Sequence, residues 1–419
     1  MPLRLKGDVV TAGKPVIFLH IGAMKTGTTF LQQLMIANKD ALAAAGYLFP
    51  GARWYEQDRA VRDILDMARR DPPMRALCIG MWEKLATEML THHGRASIFS
   101  MEFLSFAGAR QAARVIESLE RADVHVILTV RDAVGAIPAQ WQTHCRNGGT
   151  VSWPRFARST RWGPRLGRLA QSQGARVFQQ TQGVPRMLGC WGRAVPPERL
   201  HVITVPPSGS DPMLLWQRFA GVVGLDPRVC SEGAGKSNPS LGQPSADLMR
   251  RINAKLGRLP ASLYQPTLKA QLANNILTVR SGVESSAVLD HQTRDFALAW
   301  NQRVRARVQS SGAHVVGDLS DLPTKPQDGA ACAESLVDPS DEEILAAAEA
   351  ARAGLVRLVE KRSNRLQKLG ARDDVALARG ADWLASSDPV DAAVTELTGL
   401  ARAAIELHSQ VASAKESRR

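Results

Sequence analysis

The chain of 419 residues is 44% hydrophobic and 22% charged, which excludes a wholly disordered chain, a collagen and a membrane bundle. Its 53 Lys and Arg outnumber its 40 Asp and Glu, leaving a net charge of +13. An excess of that size suits nucleic acid, an anionic membrane surface or a small phosphate- or sulfate-rich molecule, and composition alone does not choose among them.

The length fits one large domain or two to three smaller ones. Cys78, Cys145, Cys190, Cys230 and Cys332 are odd in number and widely spaced, implying neither a zinc site nor a disulfide framework. Residues 1–15 hold no apolar segment of signal-peptide length, and nowhere does an apolar run reach the ~18 residues of a spanning helix. A reduced, cytoplasmic protein is the expectation.

In chain order, the first strong element is Val16–His20, an apolar run of β-formers flanked by Pro15 and Gly22, read as a buried strand. After Gly27 the period changes: Phe30, Leu31, Leu34 and Met35 share one helical face, in a segment able to continue towards Leu42. Strand, glycine-bearing turn and helix is the usual opening of a nucleotide-binding α/β domain. Further strands are expected at Ala96–Ser100, Val124–Val130 and Leu200–Val205, with helices at Gln111–Glu120 and after Arg131. A punctuated helix follows, with Asp211 as N-cap, Pro212 at the first position, Leu215, Trp216 and Phe219 in the core, and Gly224 at the stop. Strands alternating with helices imply an α/β fold with a mostly parallel sheet flanked by helices on both faces.

Charge is uneven along this series. Between Asp132 and Glu198 no acidic residue occurs, while nine arginines do: Arg146, Arg155, Arg158, Arg161, Arg165, Arg168, Arg176, Arg186 and Arg193. Leu322–Gly329 reads as a linker. Beyond it Ser340–Glu343 forms a capping box ahead of an Ala-rich helix that can run to Gly370, and a second helix starts at Asp388-Pro389 and runs towards Gln410. The expected organisation is a tail at 1–14, an α/β domain at 15–325 and a helical C-terminal extension at 326–419. That extension, with 15 acidic and 12 basic residues from Ala330 onwards, lacks the basic excess and is expected to pack on the core, on a protein partner or on another copy.

The chemistry centres on Gly22-Ala-Met-Lys25-Thr26-Gly27-Thr28-Thr29, between the first strand and its helix. A phosphate at such a junction meets backbone N–H groups and the positive end of the helix dipole. Against the P-loop pattern G-x-x-x-x-G-K-[ST], the glycine spacing and Thr29 fit, but the lysine does not. Lys25 lies two residues before the second glycine, where it can neutralise charge on the oxygen that bridges a 5′-phosphate to a transferred group. Thr28 and Thr29 can then hold that phosphate directly, without a metal.

HIGAMKTGTTFLQ resembles the 5′-phosphosulfate loop of sulfotransferases that use 3′-phosphoadenosine 5′-phosphosulfate (PAPS). The wider layout is similar to bacterial-type members over roughly Lys14 to Pro323, including R-D-x(5)-P-A-x-W from Arg131 to Trp141 and VVGDLSDL at Val315–Leu322. The resemblance implies a P-loop type fold, PAPS as co-substrate and no metal. It also implies Lys25, Thr26, Gly27, Thr28, Thr29 and Arg131 as nucleotide contacts, with Lys25 also catalytic. In the family an arginine at a strand end and a serine eight residues later bind the 3′-phosphate. Arg131 matches, whereas the serine position holds Ala139, and Gln140 or a residue of Lys236–Gly242 is the expected replacement. A salt bridge to Asp132 is the competing role for Arg131.

An acceptor hydroxyl also needs a general base. Glu102, just past the Ala96–Ser100 strand, is the leading choice, its alternative being a carboxylate that favours a helix dipole. His144 is a second choice, and His20 reads as a packing residue that supports the loop. Trp141, Trp153 and Trp162 amid the arginines suit an anionic or aromatic acceptor, or equally a solvated basic face over a tryptophan-bearing core. A small molecule or glycan is the expected acceptor. A catalytically inactive module binding PAPS or its product, a P-loop nucleotide kinase and a nucleic-acid-binding protein are the alternatives.

Overall fold

The computed structural model describes residues 13–162, 172–231, 233, 240–327, 329, 331–370 and 382–417. These fall into two compact units, each made of three chain segments. The first joins residues 1–137, 178–238 and 294–330. The second joins residues 138–177, 239–293 and 331–419.

The first unit is built on six parallel strands: β1 (Val16–His20), β2 (Tyr47–Leu48), β3 (Ala96–Ser100), β4 (Asp123–Val130), β5 (Leu200–Thr204) and β6 (His314–Val316). Their order is β2-β3-β1-β4-β5-β6. All contacts are parallel, with His20 opposite Ser100 on one side and Ile127 on the other. The central strands are apolar on both faces because helices cover both faces of a parallel sheet. One core cluster gathers Phe18, Ile98, Ile127 and Ile203 from strands with Leu31, Leu34, Met35, Trp216 and Phe219 from helices.

The strands expected at Ala96–Ser100, Val124–Val130 and Leu200–Val205 lie within one residue of those observed. The two edge strands, two and three residues long, are too short to show a period. The punctuated helix spans Leu214–Val223 and ends at Gly224, whose φ of 72° is the left-handed stop glycine supplies. Its start is later than expected: Asp211 accepts the Met213 N–H (2.8 Å) in a turn before the helix.

In the second unit the helices Asp341–Lys368 and Pro389–Glu416 pack on each other and on the helix Gln243–Leu256. The expected caps form: Ser340 and Glu343 close a capping box, and the Asp388 side chain accepts the Asp391 N–H. Arg352 grips Glu396 through two hydrogen bonds of 2.9 Å and lies over the Trp383 ring, while Lys255 pairs with Asp391. The chain expected as a terminal extension is therefore a structural part of a unit that also holds residues 138–177 and 239–293. No described helix is long and apolar enough to cross a membrane.

Candidate functional site

The loop after β1 leaves the sheet at its centre, where the chain passes to β3 on one side and later to β4 on the other. Open α/β sheets build their sites at such a switch point, beyond the carboxyl ends of the strands. The exit is pinned by backbone hydrogen bonds: Met101 N to His20 O (3.1 Å), Ile21 N to Ile127 O (2.9 Å), Ala23 N to Thr129 O (2.9 Å) and Thr129 N to Gly22 O (2.6 Å).

Side chains fix the rest. His20 is fully buried, sharing hydrogen bonds through Nδ1 with Ser100 Oγ (2.8 Å) and through Nε2 with Thr129 Oγ1 (3.2 Å), with the Phe219 ring edge-on at 5.3 Å. Burial lowers its pKa from 6.5 to about 3, so the ring is neutral and meets the two hydroxyls with one donor and one acceptor nitrogen. Thr129 Oγ1 also reaches Gly22 O (3.0 Å) and Thr26 Oγ1, and Thr26 Oγ1 donates to Ala23 O (2.6 Å). Gln182 Nε2 donates to Met24 O (2.6 Å). His20 and Thr26 thus act on the loop's shape.

Backbone conformation supplies the cradle. Lys25 (φ 62°) and Gly27 (φ 82°) are left-handed, a state that costs a lysine about 1 kcal/mol and is held here by the surrounding bonds. At Gly27 the positive φ favours glycine, and a Cβ there would stand 2.4 Å from Leu215 Cδ2 and push that methyl aside. Thr28 and Thr29 then open the helix Thr28–Ala37, whose N-terminus has no side-chain cap. Its first N–H groups are the donors an anion would take.

Arg131 follows β4 and reaches back to the loop, its Nη1 donating to Lys25 O (3.3 Å). A Cβ at Gly135 would lie 3.1 Å from Arg131 Nη2, so the absent side chain leaves room for the guanidinium. Asp132 is committed elsewhere: its carboxylate accepts Val134 N (2.9 Å), Gly135 N (3.2 Å) and Asn301 Nδ2 (2.6 Å), and Asn301 Oδ1 accepts Ala133 N (2.9 Å). Asp132 is therefore the cap of the helix Ala133–Arg146, and Arg131 makes no salt bridge among the described residues. Desolvation pulls the Arg131 pKa down, partly offset by the Asp132 charge.

Glu102 opens a short 3-10 helix, Glu102–Phe106, directly after β3. Its Cα, Cβ and carbonyl lie 3.2–3.3 Å from where a Gly22 side chain would start, so the loop's first glycine (φ 103°) permits the close approach. Gln32 Nε2 donates to Glu102 Oε2 (3.0 Å) and to Ser100 O (2.9 Å). Lys25, Thr26, Gly27, Thr28, Thr29, Glu102 and Arg131 all belong to the first unit, and the chain fold gathers them around one loop.

Other expected contributors belong to the second unit or lie outside the described residues. His144 is a core residue of the second unit, 8% exposed, its ring 5.8 Å from Phe156 and so close to Gly149 that a Cβ there would clash at 2.3 Å. Burial lowers its pKa to about 4. This burial differs from what the second choice of general base would need, a ring open to an acceptor. Gln140 is buried, and its carbonyl oxygen has no hydrogen-bond partner among the described residues. Residues 236–239 of the other proposed replacement for the serine lie outside the described residues, as do Arg165 and Arg168.

The arginine-rich interval divides by role. Arg186 donates to Ala107 O (3.0 Å) and Ser105 O (2.6 Å), Arg161 to Gln292 Oε1 (2.5 Å), and Arg155 and Arg193 are exposed. Trp141 and Trp153 are core residues with rings 5.5 Å apart, while Trp162 is 56% exposed.

Sequence reasoning missed Thr129, Gln32, Gln182 and Asn301. Two carried a signal: Thr129 is a lone hydroxyl in the apolar VHVILTV, and Gln32 interrupts the apolar face of the first helix. Gln182 and Asn301 are distant in sequence and carried none. No family model, curated protein or solved structure matches the chain.

Proposed function

We propose that this protein is a sulfotransferase that uses PAPS and transfers its sulfuryl group to a hydroxyl or amine of an acceptor. The observation that carries the reading is that the fold brings Lys25 and Arg131 to one loop, Arg131 Nη1 donating to Lys25 O while the Asp132 carboxylate is taken up by Val134 N, Gly135 N and Asn301. PAPS supplies an activated sulfuryl group on a 5′-phosphate. The uncapped N–H groups after Gly27 and the hydroxyls of Thr28 and Thr29 suit that phosphate. Lys25 would stabilise the charge that grows on the phosphate oxygen as the bond to sulfur breaks. Arg131, its fork spared from Asp132, suits the 3′-phosphate.

Glu102 would accept the proton of the acceptor as its oxygen attacks sulfur in line. The acceptor is proposed to be a small molecule or glycan met in the cytoplasm. A kinase reading needs a lysine after the second glycine, and that position is Thr28.

Isothermal calorimetry with adenosine 3′,5′-bisphosphate in EDTA tests the proposal. Wild type is expected to bind, and the Lys25→Ala/Arg131→Ala double variant to lose binding by about 100-fold or more, as befits two charge-assisted contacts. Unchanged binding by the double variant would sink the reading. Magnesium-dependent preference for ATP would replace it with the kinase reading.

A further inference from the structure

Gln32 is buried (2% exposed) yet sits between two polar groups of the candidate site. Its Oε1 accepts the indole N–H of Trp54 (3.0 Å), and its Nε2 donates to Glu102 Oε2 (3.0 Å) and to Ser100 O (2.9 Å). An indole can only donate, so the amide orientation is settled: oxygen towards Trp54, nitrogen towards the carboxylate. An N–H aimed at Oε2 stabilises negative charge on that oxygen and occupies one of its lone pairs, so a proton taken up by Glu102 is favoured on Oε1.

Trp54 is the second part of this relay. It opens the helix Trp54–Ile64 and is 40% exposed, although its single polar atom is already bonded inside the protein. What its side chain offers to solvent is therefore apolar indole carbon, one buried amide away from the carboxylate. Such faces stack on flat rings.

Building on the sulfotransferase reading, we infer that Gln32 is a positioning residue that aims Glu102 Oε1 at the acceptor. We further infer that Trp54 selects acceptors whose reacting hydroxyl is borne on a ring, phenolic or pyranose, by stacking that ring. In the step so arranged, the hydroxyl oxygen bonds to sulfur, its proton passes to Glu102 Oε1, and the sulfur–oxygen bond to the 5′-phosphate breaks with its electron pair left on the phosphate oxygen beside Lys25. Donor and acceptor account for every atom, and no redox partner is needed.

The test uses full-length protein saturated with adenosine 3′,5′-bisphosphate, with calorimetric titration of 2-naphthol, methyl β-glucoside and 1-hexanol. At least one ring compound is expected to bind better than hexanol, which decides between the phenolic and pyranose sources, and Trp54→Ala is expected to weaken it by about 10-fold. With PAPS and the ring compound that binds, Gln32→Met is expected to lower kcat by up to about 100-fold, as a misaimed base does. Gln32→Glu is expected to move the acid limb of the kcat profile to higher pH, because a second carboxylate disfavours ionisation of Glu102. Trp54→Phe keeps an aromatic ring, though a smaller one, and removes the N–H, and is expected to lower kcat with a smaller change in KM than Trp54→Ala.

A bisphosphate affinity within about twofold of wild type in each variant certifies an intact fold and loop. Binding of neither ring, equal binding of hexanol, or a pH profile unmoved by Gln32→Glu would each overturn this inference while the nucleotide reading stood. Failure of the wild type to bind the bisphosphate would overturn both.

Discussion

The loop after β1 and the arginine-rich interval between Asp132 and Glu198 use positive charge in opposite ways. Around the loop cations are few and each is framed. Lys25 is held in a left-handed conformation by latched neighbours, and Arg131 lies in the space Gly135 leaves, freed because Asp132 caps a helix instead. In the interval cations are many and their duties unrelated. Arg186 ties down Ser105 and Ala107, Arg161 meets Gln292, and Arg155 faces outward. Charge density alone is a poor guide to chemistry, because a guanidinium with both fork nitrogens spent on carbonyls, as at Arg186, or one dissolved in solvent has little left to offer a ligand. Placement against unpaired backbone donors is the better guide.

The comparison can be broken most directly at Lys25. Lys25→Ala is expected to reduce kcat for sulfuryl transfer by about 10²–10³-fold, the usual cost of losing one preorganised donor to a developing oxyanion, measured as release of adenosine 3′,5′-bisphosphate. Arg155→Ala in the same assay is expected to leave the rate within about twofold. A larger loss at Arg155 than at Lys25 would reverse the contrast.

Next in size is the affinity for the bisphosphate. Arg131→Ala is expected to weaken it by about 10- to 100-fold, and Arg131→Lys to restore only part, since a point charge does not replace the planar fork. Asn301→Ala, which removes a helix-capping partner behind Arg131, is expected to lose less, about threefold to 10-fold.

Two buried histidines sharpen the contrast further. His20 and His144 are both neutral, with pKa values lowered from 6.5 to about 3 and about 4 by burial. An unfolded chain takes up those protons near pH 6.5 while the folded chain does not. Stability is therefore complete above that pH and falls as pH drops towards 4, by on the order of 1.4 kcal/mol per pH unit for each such histidine. Urea midpoints should fall from neutral pH to about pH 5, and each of His20→Gln and His144→Phe should flatten the slope by one histidine's share. Only His20→Gln is expected to weaken bisphosphate binding as well, because only His20 braces Thr129 and the loop. Equal effects on binding would remove the distinction between the two histidines.

The last effect falls on stability alone and concerns the helical hairpin of the second unit. Glu396→Gln breaks the charge pairing with Arg352 and is expected to cost about 1–3 kcal/mol in urea unfolding, with bisphosphate affinity unchanged.

Local chemistry determined much of this protein by itself. Apolar runs of β-formers located four central strands, Gly224 ended its helix, and Ser340 and Asp388 started theirs. Each depends on neighbours within a few residues, where φ preference, capping geometry and burial period act directly. The loop Gly22–Thr29 was legible for the same reason, since its glycines and lysine are read within one turn.

What only the tertiary structure decided involves residues far apart in the chain. Ser100 and Thr129 stand beside His20 because β3 and β4 both pair with β1. Glu102 stands beside Gly22 because β3 ends there, and Asn301 reaches Asp132 across 169 positions of sequence. The helices after Ala330 share a unit with residues 138–177 and 239–293, against the expected boundary near 325. Such pairings are set by sheet order and by which apolar faces remain to be covered, and neither is encoded in any single stretch of chain.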